Sequence, residues 1–182
     1  MTQNQSKIIV VDDDSEMREM LEDFLRGLGH QVEGYQLATT AFEDIVSGQM
    51  GSSFSASDID LIITDLSMPE MDGLEFTQRV KKRLPNVPVV LITAHGTIES
   101  AIDATKAGAY SYVVKPFKLN ELEVTLRQAL AHNALQRENS ILRGQVSQSW
   151  SFQNIIGKSK AMRQVFDLIG RVANASANVL IS

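Results

Sequence analysis

Acidic side chains stand at the ends of two apolar segments of this 182-residue chain. Asp12 and Asp13 end the segment Lys7–Val11, and Asp65 ends residues 61–64, just before a Met-Pro turn. Carboxylates grouped in this way can bind a divalent metal ion or react with a phosphate. The two positions therefore predict metal or phosphoryl chemistry.

A hydroxyl and an ammonium group end two further apolar segments. Thr93 follows residues 89–92, and Lys115 with Pro116 follows residues 112–114. Because the carboxyl ends of strands in an open parallel α/β sheet border the ligand crevice, we expect all four strand ends to meet at one edge. The sequence thus predicts one site that contains three acids, a hydroxyl and an ammonium group.

Strand and helix patterns alternate along the chain between these residues. Five βα units of this kind indicate an α/β fold, with a parallel sheet and helices on both faces. The predicted strands are 7–11, 31–35, 60–64, 88–92 and 110–114, and the predicted helices are 15–28, 38–46, 74–84, 98–107 and 119–131. Residues 48–57 are rich in Ser and Gly and predict a surface loop at the edge opposite the acids.

Composition excludes several classes of protein. The length fits one ordinary domain with an appendage, and the hydrophobic content of 43% is enough for a packed core. The formal net charge of −5 argues against a nucleic-acid-binding surface, and the lack of cysteine excludes a disulfide framework or a Cys nucleophile. No segment fits a signal peptide or a membrane span, so we expect a cytoplasmic protein without membrane association.

These spaced motifs resemble the receiver domain of two-component response regulators over about residues 7–130. The matching motifs are Asp12-Asp13, Asp65 with Met68-Pro69 and Asp72-Gly73, Thr93-Ala94, and Lys115-Pro116-Phe117. The resemblance implies a flavodoxin-like (CheY-like) five-stranded parallel sheet in the order 2-1-3-4-5. It also implies that Asp65 accepts a phosphoryl group from a sensor histidine kinase.

A second resemblance begins near Phe152. Residues 155–159, an amphipathic helix around Met162 and Phe166, and residues 178–182 are similar to the start of the AAA+ domain in NtrC-like, sigma-54-dependent transcription activators. We therefore expect a receiver domain at 1–132, a helical linker at 133–151 and an N-terminal AAA+ fragment at 152–182, before the Walker A loop. ATP hydrolysis and contacts with sigma-54 RNA polymerase and DNA are expected of the full-length protein only.

Phosphoryl transfer to a carboxylate builds up negative charge, which a divalent cation and fixed positive groups must offset. Mg²⁺ takes oxygen ligands and keeps several waters, so a few protein ligands suffice. We expect Asp13 and Asp65 to be direct ligands and Asp12 to bind directly or through water, and the resemblance adds the backbone carbonyl of Ser67.

The remaining strand-end residues have expected roles beside the metal. Lys115 would supply fixed positive charge, and Thr93 would donate its hydroxyl to phosphoryl oxygens. By resemblance, the Lys115–Pro116 peptide is cis and aims the ammonium inward. The resemblance also suggests that Tyr112 is an aromatic switch that turns inward when Thr93 engages the phosphoryl group, although strand packing also explains a tyrosine there. Taken alone, the acids at 12–14 would be better explained as a strand end and a helix cap, but their appearance together with the other strand-end residues favours the site, with Asp14 as the cap.

Other functions are less consistent with the sequence. An Mg²⁺-dependent phosphatase with an aspartyl-phosphate intermediate would carry a second carboxylate two residues after the nucleophile, where this chain has Ser67. A nucleotide-binding protein would have a Gly-rich loop after the first strand. A stand-alone receiver or adaptor remains an alternative. We expect a regulator that accepts and slowly loses a phosphoryl group, not an enzyme.

The linker contains a short heptad pattern. Leu135, Asn139, Leu142 and Val146 occupy positions d, a, d and a, which predicts a marginal two-stranded coiled coil and hence a homodimer. Upstream, we expect one apolar stripe to pack on the sheet, formed by Leu119, Leu122, Leu126 and Leu130.

Overall fold

Five parallel strands form one sheet in the order β2-β1-β3-β4-β5. The structure is a computed structural model that describes residues 5–48, 55–94, 96–148 and 159–172. The strands are β1 Lys7–Val11, β2 Gln31–Tyr35, β3 Leu61–Asp65, β4 Val89–Thr93 and β5 Ser111–Val114. This order and the parallel pairing confirm the predicted CheY-like α/β fold.

Helices connect the strands and continue past the last one. They are α1 Ser15–Gly27, α2 Ala38–Ser47, α3 Gly73–Arg83, α4 Ile98–Ala107, α5 Leu119–Gln148 and α6 Lys160–Val172. The chain divides into two compact units, Met1–Gln136 and Arg137–Ser182. The amphipathic helix predicted around Met162 is α6, whereas residues 155–158 and 178–182 of the predicted AAA+ fragment lie outside the described residues.

Apolar side chains pack on both faces of the sheet because β1, β3 and β4 are covered on both sides. On one face, Ile9 and Ile62 pack with Phe76 of α3. On the other face, Ile8 and Ile63 pack with side chains from α1 and α5. Burial of each such side chain contributes about 1.5–3 kcal/mol, so the three central strands are the most firmly held part of this unit.

Helix α1 begins at the predicted residue and ends one residue before the predicted position 28. The side chain of Asp14 caps the N-terminus by accepting hydrogen bonds from the backbone N–H groups of Glu16 and Met17, at 3.0 and 3.3 Å. At the other end, Gly29 adopts φ 90°, and the N–H groups of Gly29 and His30 bond back to the last turn. This arrangement is the Schellman motif, in which glycine takes the left-handed conformation at little steric cost.

The helix predicted at 119–131 and the predicted helical linker form one continuous helix. Helix α5 runs for 30 residues, Leu119–Gln148, through most of the linker predicted at 133–151. No proline interrupts residues 119–148, and the single Gly144 costs only about 1 kcal/mol in a helix interior. None of the helices in the described residues is both long and apolar enough to cross a membrane.

The stripe that α5 packs on the sheet also differs from the prediction. Leu122 and Leu126 are buried as expected and Leu130 is partly buried, but Leu119 is 38% exposed. The buried stripe continues instead through Ala129 and Asn133. Both the predicted and the observed stripe have spacings of three and four residues, as one face of a helix requires, but the buried one includes a small and a polar residue that the apolar pattern alone does not mark.

The predicted loop at 48–57 contains one short structured element. Residues Ala56–Asp58 form a 3₁₀ turn, and Asp58 forms an ion pair with Lys7 at 3.0 Å. Residues 49–54 lie outside the described residues. The turn therefore joins the end of this segment to the start of β1, at the edge of the sheet away from the acids.

The close approach of α3 to the end of β3 requires glycine at position 73. A Cβ atom on Gly73 would lie 2.2 Å from the backbone oxygen of Asp65 and 2.9 Å from Cδ2 of Leu91. We predict that Gly73→Ala lowers the free energy of unfolding by about 1–3 kcal/mol, because the backbone must shift to relieve the contact. Chemical denaturation of both proteins measures the change.

Gly27→Ala is the matched control, because Gly27 also lies in a helix but a Cβ there meets nothing within 4 Å. Its stability should stay equal to that of the parent or rise by up to about 1 kcal/mol. Equal stabilities for the two variants would contradict the packing described for α3.

Candidate functional site

The carboxyl ends of four strands converge at one edge of the sheet. β1, β3, β4 and β5 are successive neighbours in the sheet, and the register pairs Asp65 with Ile92 and Thr93 with Val114. The polar residues at these ends are Asp12 directly after β1, Asp65 and Thr93 as the last residues of β3 and β4, and Lys115 directly after β5. Three of them, Asp12, Asp65 and Thr93, are buried.

The ammonium group of Lys115 bridges two carboxylates. Its Nζ atom donates to Oδ1 of Asp65 at 2.7 Å and to Oδ2 of Asp12 at 3.2 Å. Burial by itself would lower the pKa of Lys115, but the hydrogen bond to Asp65 and the charge of Asp12 outweigh it and raise that pKa. Lys115 is therefore a fixed positive charge shared by two acids.

The surroundings of Asp12 make the charged form of its carboxylate less favourable than it is in water. Burial raises the pKa of Asp12, and the nearby charge of Lys115 offsets only part of that rise. The negative charge of Asp65 adds to it. One ammonium thus leaves the buried acid pair short of positive charge, which is the condition that favours binding of a further cation.

Asp65 is held by the loop that follows it. The backbone N–H of Ser67 donates to Oδ2 of Asp65 at 2.7 Å. The loop is in turn fixed by Leu66, whose N–H donates to the carbonyl of Ile92 at 2.8 Å and whose carbonyl accepts from Gly73 at 2.9 Å. Both oxygens of the Asp65 carboxylate are therefore oriented before any ligand binds.

All four hydrogen-bonding groups of Asp12 are occupied. Its N–H donates to the carbonyl of Tyr35 at 3.1 Å, and Oδ1 accepts from the N–H of Asp14 at 3.0 Å. Oδ2 bonds to Lys115, and the backbone carbonyl accepts from Nη1 of Arg18 at 2.7 Å. Sequence reasoning missed Arg18, because no local pattern indicates a contact between a helix side chain and the main chain at the end of a strand.

The other two acids of the run have different surroundings. Asp14 uses its carboxylate to cap α1, as expected, and lies at the surface. Asp13 is exposed, and within residues 5–48, 55–94, 96–148 and 159–172 no hydrogen bond or ion pair involves its carboxylate. Asp13 is therefore available to a ligand in solution, whereas the carboxylate of Asp14 is already used.

The predicted switch residues lie on β4 and β5. Thr93 is fully buried, and its carbonyl accepts from the N–H of Lys115 at 2.7 Å. The hydroxyl of Tyr112 lies 2.6 Å from Oγ of Ser100, a residue in the first turn of α4 that also forms a capping box with Thr97. Sequence reasoning missed this link between β5 and α4.

Two carboxylates at this edge, those of Asp12 and Asp65, are donors of the type that a hard divalent cation takes. Carboxylate oxygens are the ligands that Mg²⁺ prefers, and Asp12 and Asp65 already converge on one cationic atom. Within the part of the chain that the structure describes, no three Asp, Glu, His or Cys side chains stand close enough together to form a metal cluster. The backbone carbonyl of Ser67 remains a predicted metal ligand. The Lys115–Pro116 peptide bond is cis, as the resemblance implied.

Comparison with known proteins gives a consistent result. Residues 8–127 match the family described as the response regulator receiver domain. NtrC of Escherichia coli (strain K12), a DNA-binding transcriptional regulator, is 35% identical over 175 residues, which are 95% of this chain and 34% of NtrC. ZraR of Klebsiella oxytoca, a transcriptional regulatory protein, is 34% identical over 181 residues, which are 100% of this chain and 38% of ZraR.

A solved structure agrees with these relatives. NtrX from Brucella abortus, in complex with ADP, superposes with a TM-score of 0.68 and 32% identity over 94% of this chain and 35% of NtrX. The chain spans about a third of the length of the relatives that it matches. Its fold, its four strand-end motifs and the match over residues 8–127 agree, and the chain belongs to the response regulator receiver domain family.

Proposed function

We propose that this chain is the phosphorylation-controlled receiver of an NtrC-like, sigma-54-dependent transcription activator, in which a sensor histidine kinase phosphorylates Asp65. The observation that carries the proposal is the bridge from Lys115 to Asp12 and Asp65 at the edge of the sheet. An ammonium group beside a carboxylate nucleophile offsets the charge that a phosphoryl group brings. The similarity to NtrC and ZraR supports the transcriptional role.

In the proposed reaction, an oxygen of Asp65 forms a bond to phosphorus while the bond from phosphorus to the donor nitrogen breaks. The donor leaves as a histidine side chain. Lys115 pairs with the phosphoryl oxygens, and the Thr93 hydroxyl donates to one of them. The orientation of Asp65 by the Ser67 N–H supports this role, since a fixed carboxylate needs little reorganisation to react.

Asp12, Asp13, Asp65 and the backbone carbonyl of Ser67 would hold Mg²⁺, which supplies positive charge to the transferring phosphoryl group. The charge deficit at Asp12 supports this ligand set. No carboxylate stands at position 67, where a general acid for rapid hydrolysis would be needed, so we propose slow loss of the phosphoryl group and not phosphatase turnover.

The domain assignment follows the resemblance to NtrC-like activators. We assign residues 1–132 to the receiver, 133–151 to a helical linker and 152–182 to the first part of an AAA+ domain. ATP, DNA and sigma-54 RNA polymerase would be bound by the full-length protein. Tyr112 would couple phosphorylation to α4, because its hydroxyl contacts Ser100 at the start of that helix.

The linker supports a proposed homodimer. Leu135 is 66% exposed and Leu142 is 52% exposed, and both lie on α5 at heptad d positions. Exposed leucines at this spacing lose contact with water when two such helices pair. The stretch is short, so the pairing is marginal and a remote event can bias it.

The first test concerns the phosphorylation site. Acetyl phosphate with Mg²⁺ should add one acid-stable, base-labile phosphoryl group to the parent chain, and none to Asp65→Asn, because the amide is not a nucleophile. Intact-protein mass spectrometry measures the addition.

Asp72→Asn is the matched control, since Asp72 is a nearby carboxylate that only caps α3 and asparagine caps equally well. It should be phosphorylated like the parent. Uptake of the label by Asp65→Asn at the parental rate would show that the site is wrongly assigned.

The second test concerns the metal ligands. We predict that Asp13→Ala weakens Mg²⁺ binding by roughly tenfold or more, measured by isothermal titration calorimetry, because a charged oxygen ligand is lost. Asp14→Ala should leave Mg²⁺ affinity nearly unchanged and instead lower stability by about 1 kcal/mol through loss of the helix cap. Equal losses of affinity in the two variants would contradict the proposed ligand set.

The third test concerns the linker. Multi-angle light scattering of the phosphorylated and unphosphorylated chain should detect a dimer in at least one state, and Leu135→Ala combined with Leu142→Ala should remove it. Val124→Ala is the control, because Val124 is 57% exposed on the same helix but lies outside the a and d positions. A monomer in both states, or a dimer that the double variant leaves intact, would exclude the linker from dimerisation.

A further inference from the structure

We propose that Arg18 is a positioning residue for the metal-binding acids. Its guanidinium fixes the backbone carbonyl of Asp12 and so sets the direction in which the chain presents Asp13. The inference rests on the proposed function, because it concerns the same Mg²⁺ site. It adds a residue outside the strand ends to the machinery of that site.

The contact is short and joins a side chain of α1 to the main chain at the end of β1. Nη1 of Arg18 donates to the carbonyl of Asp12 at 2.7 Å. The other three hydrogen-bonding groups of Asp12 are also occupied, as described above. Arg18 therefore supplies the last constraint on a residue whose side chain faces Lys115.

The carbonyl of Asp12 belongs to the same planar peptide unit as the N–H of Asp13. The Cα of Asp13 lies in this same plane, so a hydrogen bond that holds the carbonyl also holds the orientation of the peptide unit that precedes the Asp13 side chain. The Asp13 carboxylate has no bonding partner among the described residues, so the direction of its side chain depends on its backbone. Loss of the Arg18 contact would release this constraint while leaving the side-chain bonds of Asp12 in place.

Neighbouring residues hold Arg18 in this position. A Cβ atom on Gly34 would lie 3.3 Å from Cδ of Arg18 and 1.7 Å from Oε1 of Glu22, so the glycine in β2 leaves room for both side chains. Two turns of helix further along, Arg26 makes similar contacts away from the site. Its Nη2 atom bonds to Glu22 at 2.7 Å and to the carbonyl of Val32 at 3.3 Å.

Arg26 is therefore a matched control for Arg18. Both arginines lie on α1, two helical turns apart. Arg18 donates to the backbone carbonyl of Asp12 after β1, and Arg26 donates to the backbone carbonyl of Val32 in β2. Only Arg18 contacts a residue of the proposed metal site. An effect common to both arginines is structural, and an effect of Arg18 alone belongs to the site.

The test uses the 182-residue chain and Mg²⁺ alone as the probe. We expect Arg18→Met to weaken Mg²⁺ binding roughly tenfold in isothermal titration calorimetry, the usual effect of removing a partner that orients a ligand. Arg26→Met should bind Mg²⁺ within about twofold of the parent, and Arg18→Lys, which keeps a charged donor, should recover part of the loss. The thermal midpoints of Arg18→Met and Arg26→Met without Mg²⁺ should agree.

A second measurement separates positioning from damage to the reaction. The Mg²⁺ concentration that half-saturates phosphorylation by acetyl phosphate should rise by the same factor in Arg18→Met, with the rate at saturating Mg²⁺ nearly unchanged. A lower maximal rate with an unchanged Mg²⁺ requirement would overturn the proposal. So would equal losses of affinity in Arg18→Met and Arg26→Met, or parental affinity in Arg18→Met.

A variant that does not fold and a parent chain that does not bind Mg²⁺ lead to different conclusions. If Arg18→Met does not fold, Arg18→Gln replaces it, because glutamine is helix-forming but too short to reach the carbonyl, and the same loss is expected. If the parent chain itself binds no Mg²⁺ and takes up no phosphoryl group, the proposed function fails and this inference fails with it. Parental Mg²⁺ binding that is insensitive to Arg18 removes the inference alone.

Discussion

The ammonium group of Lys115, placed between two buried carboxylates, is the interaction on which the rest of the site depends. Removing a charge from water is costly unless an opposite charge and hydrogen bonds replace the solvent. The ends of β1, β3 and β5 meet this requirement, because parallel pairing, with β4 between β3 and β5, brings them to one edge of the sheet. The single ammonium bonds to both acids but balances the negative charge of only one of them.

The scaffold around this pair is rigid where the chemistry needs rigidity. The central strands are covered on both faces, which fixes the positions at which the chain leaves the sheet. The close approach of Gly73 to the backbone carbonyl of Asp65 fixes the loop that joins β3 to α3. Further out, the hydroxyl groups of Tyr112 and Ser100 form a contact between β5 and α4.

The sequence predicted the sheet and the strand-end residues because both follow from local patterns. Apolar segments of strand length mark β1, β3 and β4, and the residues at their carboxyl ends, Asp12 after β1 and Asp65 in β3 among them, lie at one edge of a parallel sheet. Arg18 and Ser100 were missed because each acts across the gap between a helix and a strand, and no periodicity reports such a contact. Helix was predicted both at 119–131 and in the linker, but not that the two form one continuous helix, in which the apolar repeat changes from sheet packing to a heptad without a residue that ends a helix.

The order of elements has an electrostatic consequence of its own. Helices α1, α3 and α4 follow β1, β3 and β4, so three helix N-termini lie at the same edge of the sheet as the acids. Each N-terminus carries the equivalent of about half a positive charge from its aligned peptide dipoles. Together they add a positive potential that comes from the backbone and has no proton to lose. This share of the charge compensation is therefore present at any pH at which the helices are folded, and no side-chain substitution outside the helix caps removes it.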